Sequence, residues 1–282
     1  MPTPQPGILA PLPPHARYLV FSLEPDTDAR AGLAALRDLV DGEHIVAGLG
    51  QAPLSAIGRK VPGLKPFPPL AGPGVDIPST PAALWLWLRG SDRGELLLQS
   101  RRVEHALAPA FRLLEAWDAF KHGSGRDLTG YEDGTENPEG DEAVAAAIAA
   151  DGSSLVAVQR WVHNFGRFEA MQPEERDDCI GRRRSDNEEL DDAPESAHVK
   201  RTAQESFSPE AFVVRRSMPW NAGPDAGLMF VAFGHTTDAF QAQLRRMVGL
   251  EDGIVDALFR FTRPVSGAYF WCPPLEGGRL KI

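Results

Sequence analysis

Apolar runs and amphipathic segments alternate along this chain in an order that few folds accommodate. In the first 120 residues the order is strand, helix, strand, then strand, helix, strand. The predicted strands span 16–23, 44–49, 83–88 and 117–120, and the predicted helices span 26–41 and 95–115. This is the order of the split βαβ unit, whose strands form one antiparallel sheet. The first half therefore predicts a ferredoxin-like fold.

The second half repeats this order loosely. Its predicted strands span 154–162, 212–217, 227–234 and 267–271, and its predicted helices span 172–180 and 237–247. The fold class is therefore α+β, with two ferredoxin-like halves built on antiparallel sheets, over residues 1–140 and 141–282. Identity between the halves is too low to establish a repeat. A cleft between two such halves is a favoured cofactor site.

Composition limits the classes of protein and partner. The chain is 43% hydrophobic and 24% charged, which is typical of a soluble globular protein, and its net charge of −10 disfavours a nucleic-acid partner. Its two cysteines, Cys179 and Cys272, do not make a disulfide framework. The proline-rich start has no apolar signal region, and no run of about 18 apolar residues occurs. We therefore expect a cytoplasmic protein with no membrane partner.

The segment Gly130-Tyr-Glu-Asp-Gly-Thr-Glu-Asn-Pro138 cannot be a helix interior. Glycine, asparagine and proline set up turns, and the two glycines bracket Asp133. Two interpretations remain open from these residues alone. The segment is either a surface turn with a solvated carboxylate, or a loop that holds Asp133 as an acid–base group over a cofactor.

The histidines argue against a metal site built by several imidazoles. No His-x-x-x-His or His-Glu-x-x-His pair occurs, which makes a zinc hydrolase a poor interpretation. A cofactor that needs one axial histidine, such as haem, is still allowed. The seven histidines are His15, His44, His105, His122, His163, His198 and His235.

The segment 174–195 is dense in charge and contains the run Arg182-Arg183-Arg184. The simplest interpretation is a solvated loop. One arginine of the run could instead reach inward to a cofactor carboxylate, because its planar guanidinium suits bidentate contacts.

Three motifs together resemble the dye-decolourising peroxidase family, and most closely its bacterial B-type branch. They are Gly130-Tyr-Glu-Asp-Gly134, Ser196-Ala-His198-Val and Arg215-Arg-Ser217-Met-Pro. The resemblance extends over nearly the whole chain in the family's order. Further matching segments are Gln5-Pro-Gly-Ile-Leu, Gln159-Arg-Trp-Val-His163, Ile180-Gly-Arg182, Gly227-Leu-Met-Phe, Leu244-Arg-Arg-Met-Val-Gly249, Asp252-Gly-Ile-Val-Asp256 and Phe261-Thr-Arg-Pro-Val-Ser-Gly267.

The resemblance implies haem b, held in a cleft mainly of the C-terminal half. His198 would be the proximal iron ligand, and Asp133 and Arg215 the distal pair over the peroxide site. Ser217 would be a third catalytic residue on the distal side; it stands where some relatives have asparagine and can still hold a water, but it reaches less far. Arg182 is the candidate partner of a haem propionate, although its neighbours make the assignment uncertain by one or two positions. Further implied cofactor contacts are Gly134, Thr135 and Phe230.

The implied function is a haem peroxidase that reduces hydrogen peroxide and oxidises dyes, phenolics or other small electron donors. Two alternatives remain open: a haem-binding or haem-handling protein with incidental peroxidase activity, and a haem-free oxygenase or binding protein. The resemblance implies a homo-oligomer. The end of the chain is short for the extension that loads relatives into encapsulin shells. Aromatic residues that could carry electrons to bulky donors are Trp161, Tyr131, Trp220, Tyr269 and Trp271, and the sequence selects none.

Overall fold

The computed structural model describes residues 2–282, which form a mixed set of strands and helices. The strands are β1 (His15–Leu23), β2 (Ile45–Leu49), β3 (Leu70–Gly72), β4 (Val75–Ile77), β5 (Leu84–Gly90), β6 (Phe111–Phe120), β7 (Ser154–His163), β8 (Val214–Arg215), β9 (Met218–Ala222), β10 (Asp225–Gly234), β11 (Thr262–Pro264), β12 (Ala268–Cys272), β13 (Leu275–Glu276) and β14 (Arg279–Leu280). The helices are α1 (Ala29–Leu39), α2 (Gln51–Ala56), α3 (Arg93–Leu107), α4 (Gly140–Ala147), α5 (Phe165–Ala170), α6 (Pro173–Ile180), α7 (His198–Arg201) and α8 (Asp238–Met247).

The main sheet is antiparallel and closes on itself. Strands of the N-terminal half lie in the order β2-β5-β1-β6, and those of the C-terminal half in the order β12-β7-β10-β9. Each half thus has its first and third strands at the centre, which is the ferredoxin-like order. β6 pairs with β9 through Ala119 and Trp220, and β2 pairs with β12 through Leu49 and Trp271. The predicted fold class is confirmed, while the boundary between residues 140 and 141 stays a prediction.

Two predicted elements have the wrong extent. The helix predicted over 95–115 is α3, which ends at Leu107; residues 108–110 form a turn, and residues 111–115 belong to β6. Pro109 explains the early end, because a proline has no N–H to continue the helical hydrogen bonds. The strand predicted over 212–217 is reduced to the two residues of β8, which lies at the end of the strand order. The hairpin of β3 and β4 is not evident from the sequence pattern.

Helix α8 covers the face of the sheet on which the functional residues lie. Phe240, Leu244 and Met247 are spaced by four and three positions, so they share one helix face. All three are buried in one cluster with Ala232 of β10 and Tyr269 of β12. The C-terminal half therefore has a hydrophobic layer between its sheet and α8.

The segment between β6 and α4 carries the glycine-rich motif across to the C-terminal half. Gly130 and Gly134 both have positive φ, at 93° and 78°. Residues other than glycine rarely adopt a positive φ, which explains the two glycines on either side of Asp133. Among residues 2–282, the structure has no helix long and apolar enough to cross a membrane.

Candidate functional site

A cavity in the C-terminal half lies between the sheet, α8 and the glycine-rich segment. Its volume is about 120 Å³. The wall is largely apolar with a few convergent polar groups, which is the usual character of a ligand pocket. Side chains in the lining include Asp133, His198, Arg215, Phe230, Leu244, Met247, Leu258 and Phe261. Four of the eight site residues predicted from sequence therefore share one cavity.

Asp133 and Arg215 face each other in this cavity. Arg215 Nη1 lies 3.7 Å from Asp133 Oδ1, and their side chains are 16% and 19% exposed. The distance is that of an ion pair rather than of a hydrogen bond. A carboxylate and a guanidinium therefore stand together at the cavity wall, although they lie 82 positions apart in the sequence.

His198 begins α7 and presents its ring to the same cavity. Its Nδ1 lies 2.7 Å from Oδ2 of Asp256, whose side chain is fully buried. The carboxylate is the acceptor, so Nδ1 carries the proton and the lone pair of His198 remains on Nε2. Among the described residues, Nε2 has no hydrogen-bond partner.

Asp256 is the functional residue that sequence reasoning missed. Its other oxygen accepts a hydrogen bond from Leu258 N at 2.8 Å, so both carboxylate oxygens are engaged. The segment Asp252-Gly-Ile-Val-Asp256 is part of the family resemblance, but the resemblance assigns it no role. The signal that could have found it is a carboxylate near the proximal histidine, since a ligating imidazole almost always donates its other N–H to such a group.

The other four predicted residues lie outside the lining of this cavity. Ser217 is buried, and its Oγ accepts a long hydrogen bond from Val231 N at 3.5 Å. Arg182 is also buried, and its Nη2 contacts Glu136 Oε1 at 2.6 Å and Glu189 Oε2 at 3.0 Å. Gly134 and Thr135 follow Asp133 in the chain and lead away from the cavity.

A second polar group in the cavity wall was not predicted. His163 Nε2 lies 2.9 Å from Asp127 Oδ1, and its Nδ1 lies 2.7 Å from Thr262 Oγ1. Burial acts to raise the pKa of the Asp127 carboxyl, but the hydrogen bond and charge of His163, with two bonds from Thr129, outweigh it and lower the pKa. Asp127 lies at the start of the loop that leads to Asp133. Its hydrogen bond with His163 attaches this loop to β7.

Two of the five aromatic candidates, Trp161 and Tyr131, line the cavity. The Tyr131 hydroxyl donates a short hydrogen bond to Asp177 Oδ1. Burial, followed by the bond to Asp177, raises the pKa of Tyr131, so the phenol stays protonated at neutral pH. Trp220, Tyr269 and Trp271 are buried outside the lining.

A larger and more open groove runs along the outer side of residues 135–138. Glu136, Glu142, Glu210, Asp238 and Glu251 contribute to its wall, and Asp133, His198 and Arg215 do not. The smaller cavity is therefore the candidate site, because it collects the groups that can bind a ligand and move a proton.

The residues that line the cavity suit a prosthetic group that brings its own metal ligands. No cluster of three or more His, Cys, Asp or Glu side chains suited to a metal ion occurs among residues 2–282. His198 nevertheless offers one free imidazole nitrogen to a largely apolar cavity. Haem needs a single proximal histidine from the protein and an apolar pocket, and the residues present satisfy both needs.

Comparisons with known proteins agree on one family. Residues 124–277 match the family described as Dyp-type peroxidase, C-terminal. The chain is 30% identical to the dye-decolorizing peroxidase of Mycolicibacterium paratuberculosis, over 97% of this chain and 84% of that protein.

Two solved structures are similar over nearly their whole length. The dye-decolorizing protein from V. cholerae aligns with a TM-score of 0.86 at 29% identity, over 95% of this chain and 96% of the other. A variant of DypB from Rhodococcus jostii RHA1, solved in complex with heme, aligns with a TM-score of 0.86 at 26% identity, over 94% of each chain.

Proposed function

The chain belongs to the dye-decolourising peroxidase family, and from that premise we infer that it is a haem-dependent peroxidase. It reduces hydrogen peroxide with electrons from dyes, phenolics or other small donors. The observation that carries the assignment of residues is the single cavity in which His198, Asp133 and Arg215 meet. Family membership favours this function over a haem-handling protein. Assignment to the B-type branch remains a prediction.

We propose haem b as the form of the cofactor, which His198 would hold through Nε2. When bound, the haem would supply the two electrons that reduce peroxide, and the donors would then replace these electrons. The hydrogen bond from His198 Nδ1–H to Asp256 increases the basicity of the imidazole. Phe230, Leu244 and Met247 provide apolar surface for a flat macrocycle.

Asp133 is proposed to move the proton. Its carboxylate accepts a proton from one peroxide oxygen and returns it to the other, which leaves as water. Arg215 carries a permanent positive charge beside it, and this charge stabilises the negative charge that develops on the departing oxygen. The two groups need no rearrangement to act on one small molecule, because both already line the cavity.

The proposal gives no step to the other predicted residues. Arg182 stays a predicted propionate partner, although Glu136 and Glu189 already contact its guanidinium. The catalytic role of Ser217 and the cofactor contacts of Gly134 and Thr135 also stay predictions. A homo-oligomer and a cytoplasmic location also stay predictions.

Absorption spectra recorded before and after one equivalent of peroxide test the proposal. The purified protein should show a Soret band that changes on addition of peroxide. His198→Ala should lose the band, whereas His235→Ala, at an exposed histidine outside the cavity, should keep it. The double variant Asp133→Ala/Arg215→Ala should bind haem but react with peroxide at least about 100-fold more slowly than the parent.

A matched control removes another acid–guanidinium pair. Arg183 and Asp186 form an exposed ion pair, with side chains 51% and 45% accessible. Arg183→Ala/Asp186→Ala should react as the parent does. Equal rates in the parent and in the cavity double variant would refute the roles assigned to Asp133 and Arg215.

A further inference from the structure

The contact between Asp133 and Arg215 is too loose to fix its own geometry. At 3.7 Å the two groups form no hydrogen bond, and both side chains retain some contact with solvent. Partly exposed ion pairs of this kind contribute little to structure, because solvent screening and side-chain entropy oppose them. Other contacts must therefore hold the two groups at a separation at which both can reach one peroxide molecule.

The side-chain amide of Asn137 hydrogen-bonds both the N–H and the C=O of Arg215. Its Oδ1 accepts a hydrogen bond from Arg215 N at 2.7 Å, and its Nδ2 donates to Arg215 O at 3.0 Å. Only one orientation of the amide satisfies both contacts, because the backbone offers one donor and one acceptor. Arg215 lies on β8 at the end of the strand order, so these bonds replace those of a missing strand.

A tight turn transmits the position of Asn137 to Asp133. Asn137 N donates to Gly134 O at 3.0 Å, and this bond closes the turn. Asn137 lies only four positions after Asp133. Gly134 has φ of 78°, and a Cβ atom at this position would lie 2.7 Å from Asn137 Nδ2. The amide therefore packs directly on the turn that carries Asp133.

Gln204 makes a second bridge between the same two segments. Its Nε2 donates to Glu136 O at 2.7 Å, and its Oε1 accepts from Val213 N at 3.0 Å. The residue is 5% exposed, so water competes little for these bonds. Two side-chain amides thus join residues 136–137 to residues 213–215.

We propose that Asn137 and Gln204 are positioning residues that set the separation between the carboxylate of Asp133 and the guanidinium of Arg215. Neither lines the cavity, so both act through the residues that they hold. The inference rests on the proposed function and adds to it. The separation of Asp133 and Arg215 is then set by the side-chain amides of Asn137 and Gln204 rather than by the attraction between the two charged groups.

Fluoride is a probe of this geometry that requires no turnover. In the ferric holo-protein, an anion bound in the cavity depends on a well-aimed guanidinium donor. Asn137→Ala should retain haem, weaken fluoride binding about 10- to 100-fold and slow the reaction with peroxide by a similar factor. Asn137→Asp keeps the acceptor for Arg215 N but loses the donor to Arg215 O, so its affinity for fluoride should fall between those of the parent and the alanine variant.

Gln5 provides a matched control elsewhere in the chain. Its side-chain amide also bonds both backbone groups of one residue: Oε1 accepts from Ala47 N at 2.8 Å, and Nε2 donates to Ala47 O at 2.9 Å. Gln5→Ala should lower the unfolding temperature but leave the fluoride dissociation constant at the parent value. In the Asp133→Ala/Arg215→Ala background, Asn137→Ala should change fluoride binding no further, because the groups that it positions are gone.

The outcomes separate this inference from the proposed function. Parent-like fluoride affinity in both Asn137 variants would overturn the positioning role, and so would an equal loss of fluoride affinity in Gln5→Ala. A parent that binds haem and fluoride but fails to react with peroxide would contradict the proposed function. The comparison of fluoride constants would still decide the positioning role in that case.

Discussion

His198 and Asp256 form a hydrogen bond of 2.7 Å between Nδ1 and Oδ2, although they lie 58 positions apart. Asp256 is fully buried, and it also begins the short helical turn 257–260 by accepting from Leu258 N. One carboxylate therefore fixes both the orientation of the His198 imidazole and the start of the next turn. The ring cannot rotate without breaking a bond to a buried charge.

Asp256→Asn tests what this charge does for the cofactor. The amide has nearly the same size, but it cannot supply the negative charge that raises the electron-donating power of His198. We expect haem affinity to fall about 10- to 100-fold and the reduction potential of the holo-protein to become more positive. Haem transfer to an acceptor protein and spectroelectrochemistry measure the two effects.

Asp252→Asn is the control for this variant, because Asp252 lies in the same loop and pairs with Arg201 rather than with a histidine. It should reduce stability and leave the potential unchanged. An unchanged potential in Asp256→Asn would contradict the role assigned to the proximal pair.

Ser217→Ala should leave the reaction with peroxide at the parent rate. Ser217 lies outside the cavity lining, and its hydroxyl makes only a 3.5 Å contact with Val231 N. Loss of so weak a bond should cost at most about 1 kcal/mol of stability. Stopped-flow mixing with peroxide measures the rate, with Arg215→Ala as the variant that should be about 100-fold slower. A large loss of rate in Ser217→Ala would restore the distal role that the sequence suggested.

Gly134→Ala should impair the site more than its backbone strain alone explains. Gly74 has a similar φ of 74°, but no atom lies within 4 Å of the place that a methyl group would occupy there, so Gly74→Ala is a measure of the strain by itself. Both variants should lose about 1–2 kcal/mol of unfolding free energy. Only Gly134→Ala should also slow the reaction with peroxide, because its methyl group displaces the amide of Asn137. Equal peroxide rates in the two variants would show that the collision has no functional effect.

Motifs and periodicity predicted most of the fold, because the strands and amphipathic helices of this chain agree with their local patterns. The errors have local causes. Pro109 ends α3 early, and the apolar run that contains Val214 and Arg215 forms only a two-residue strand before the chain moves on to β9. Periodicity alone does not tell where a run of strand-forming residues changes its partner.

The sequence predicted the acid, the histidine and the arginine of the candidate site, but not the residues that hold them in place. Asp133, His198 and Arg215 belong to motifs, and the structure brings all three to one cavity. Asp256, Asn137 and Gln204 act through hydrogen bonds to groups 58 or more positions away or to backbone atoms, and no local pattern reports such contacts. Sequence reasoning therefore found the groups to which we assign the chemistry and missed those that we propose to hold them.

Asp127→Asn tests whether the buried carboxylate of Asp127 fastens the loop that leads to Asp133. The lowered pKa of Asp127, which arises because the bonds from His163 and Thr129 outweigh burial, means that the folded state favours the ionised carboxylate. This contribution to stability is present above the unfolded pKa of about 3.9, and it is lost as the pH falls through the lower folded value. Parent and variant should therefore differ by a constant unfolding free energy between about pH 5 and pH 7, and the difference should shrink below about pH 4. Urea unfolding at several pH values measures it, with the exposed Asp191→Asn as the control. A difference that stays constant down to about pH 3 would mean that the carboxylate charge of Asp127 does not hold the loop.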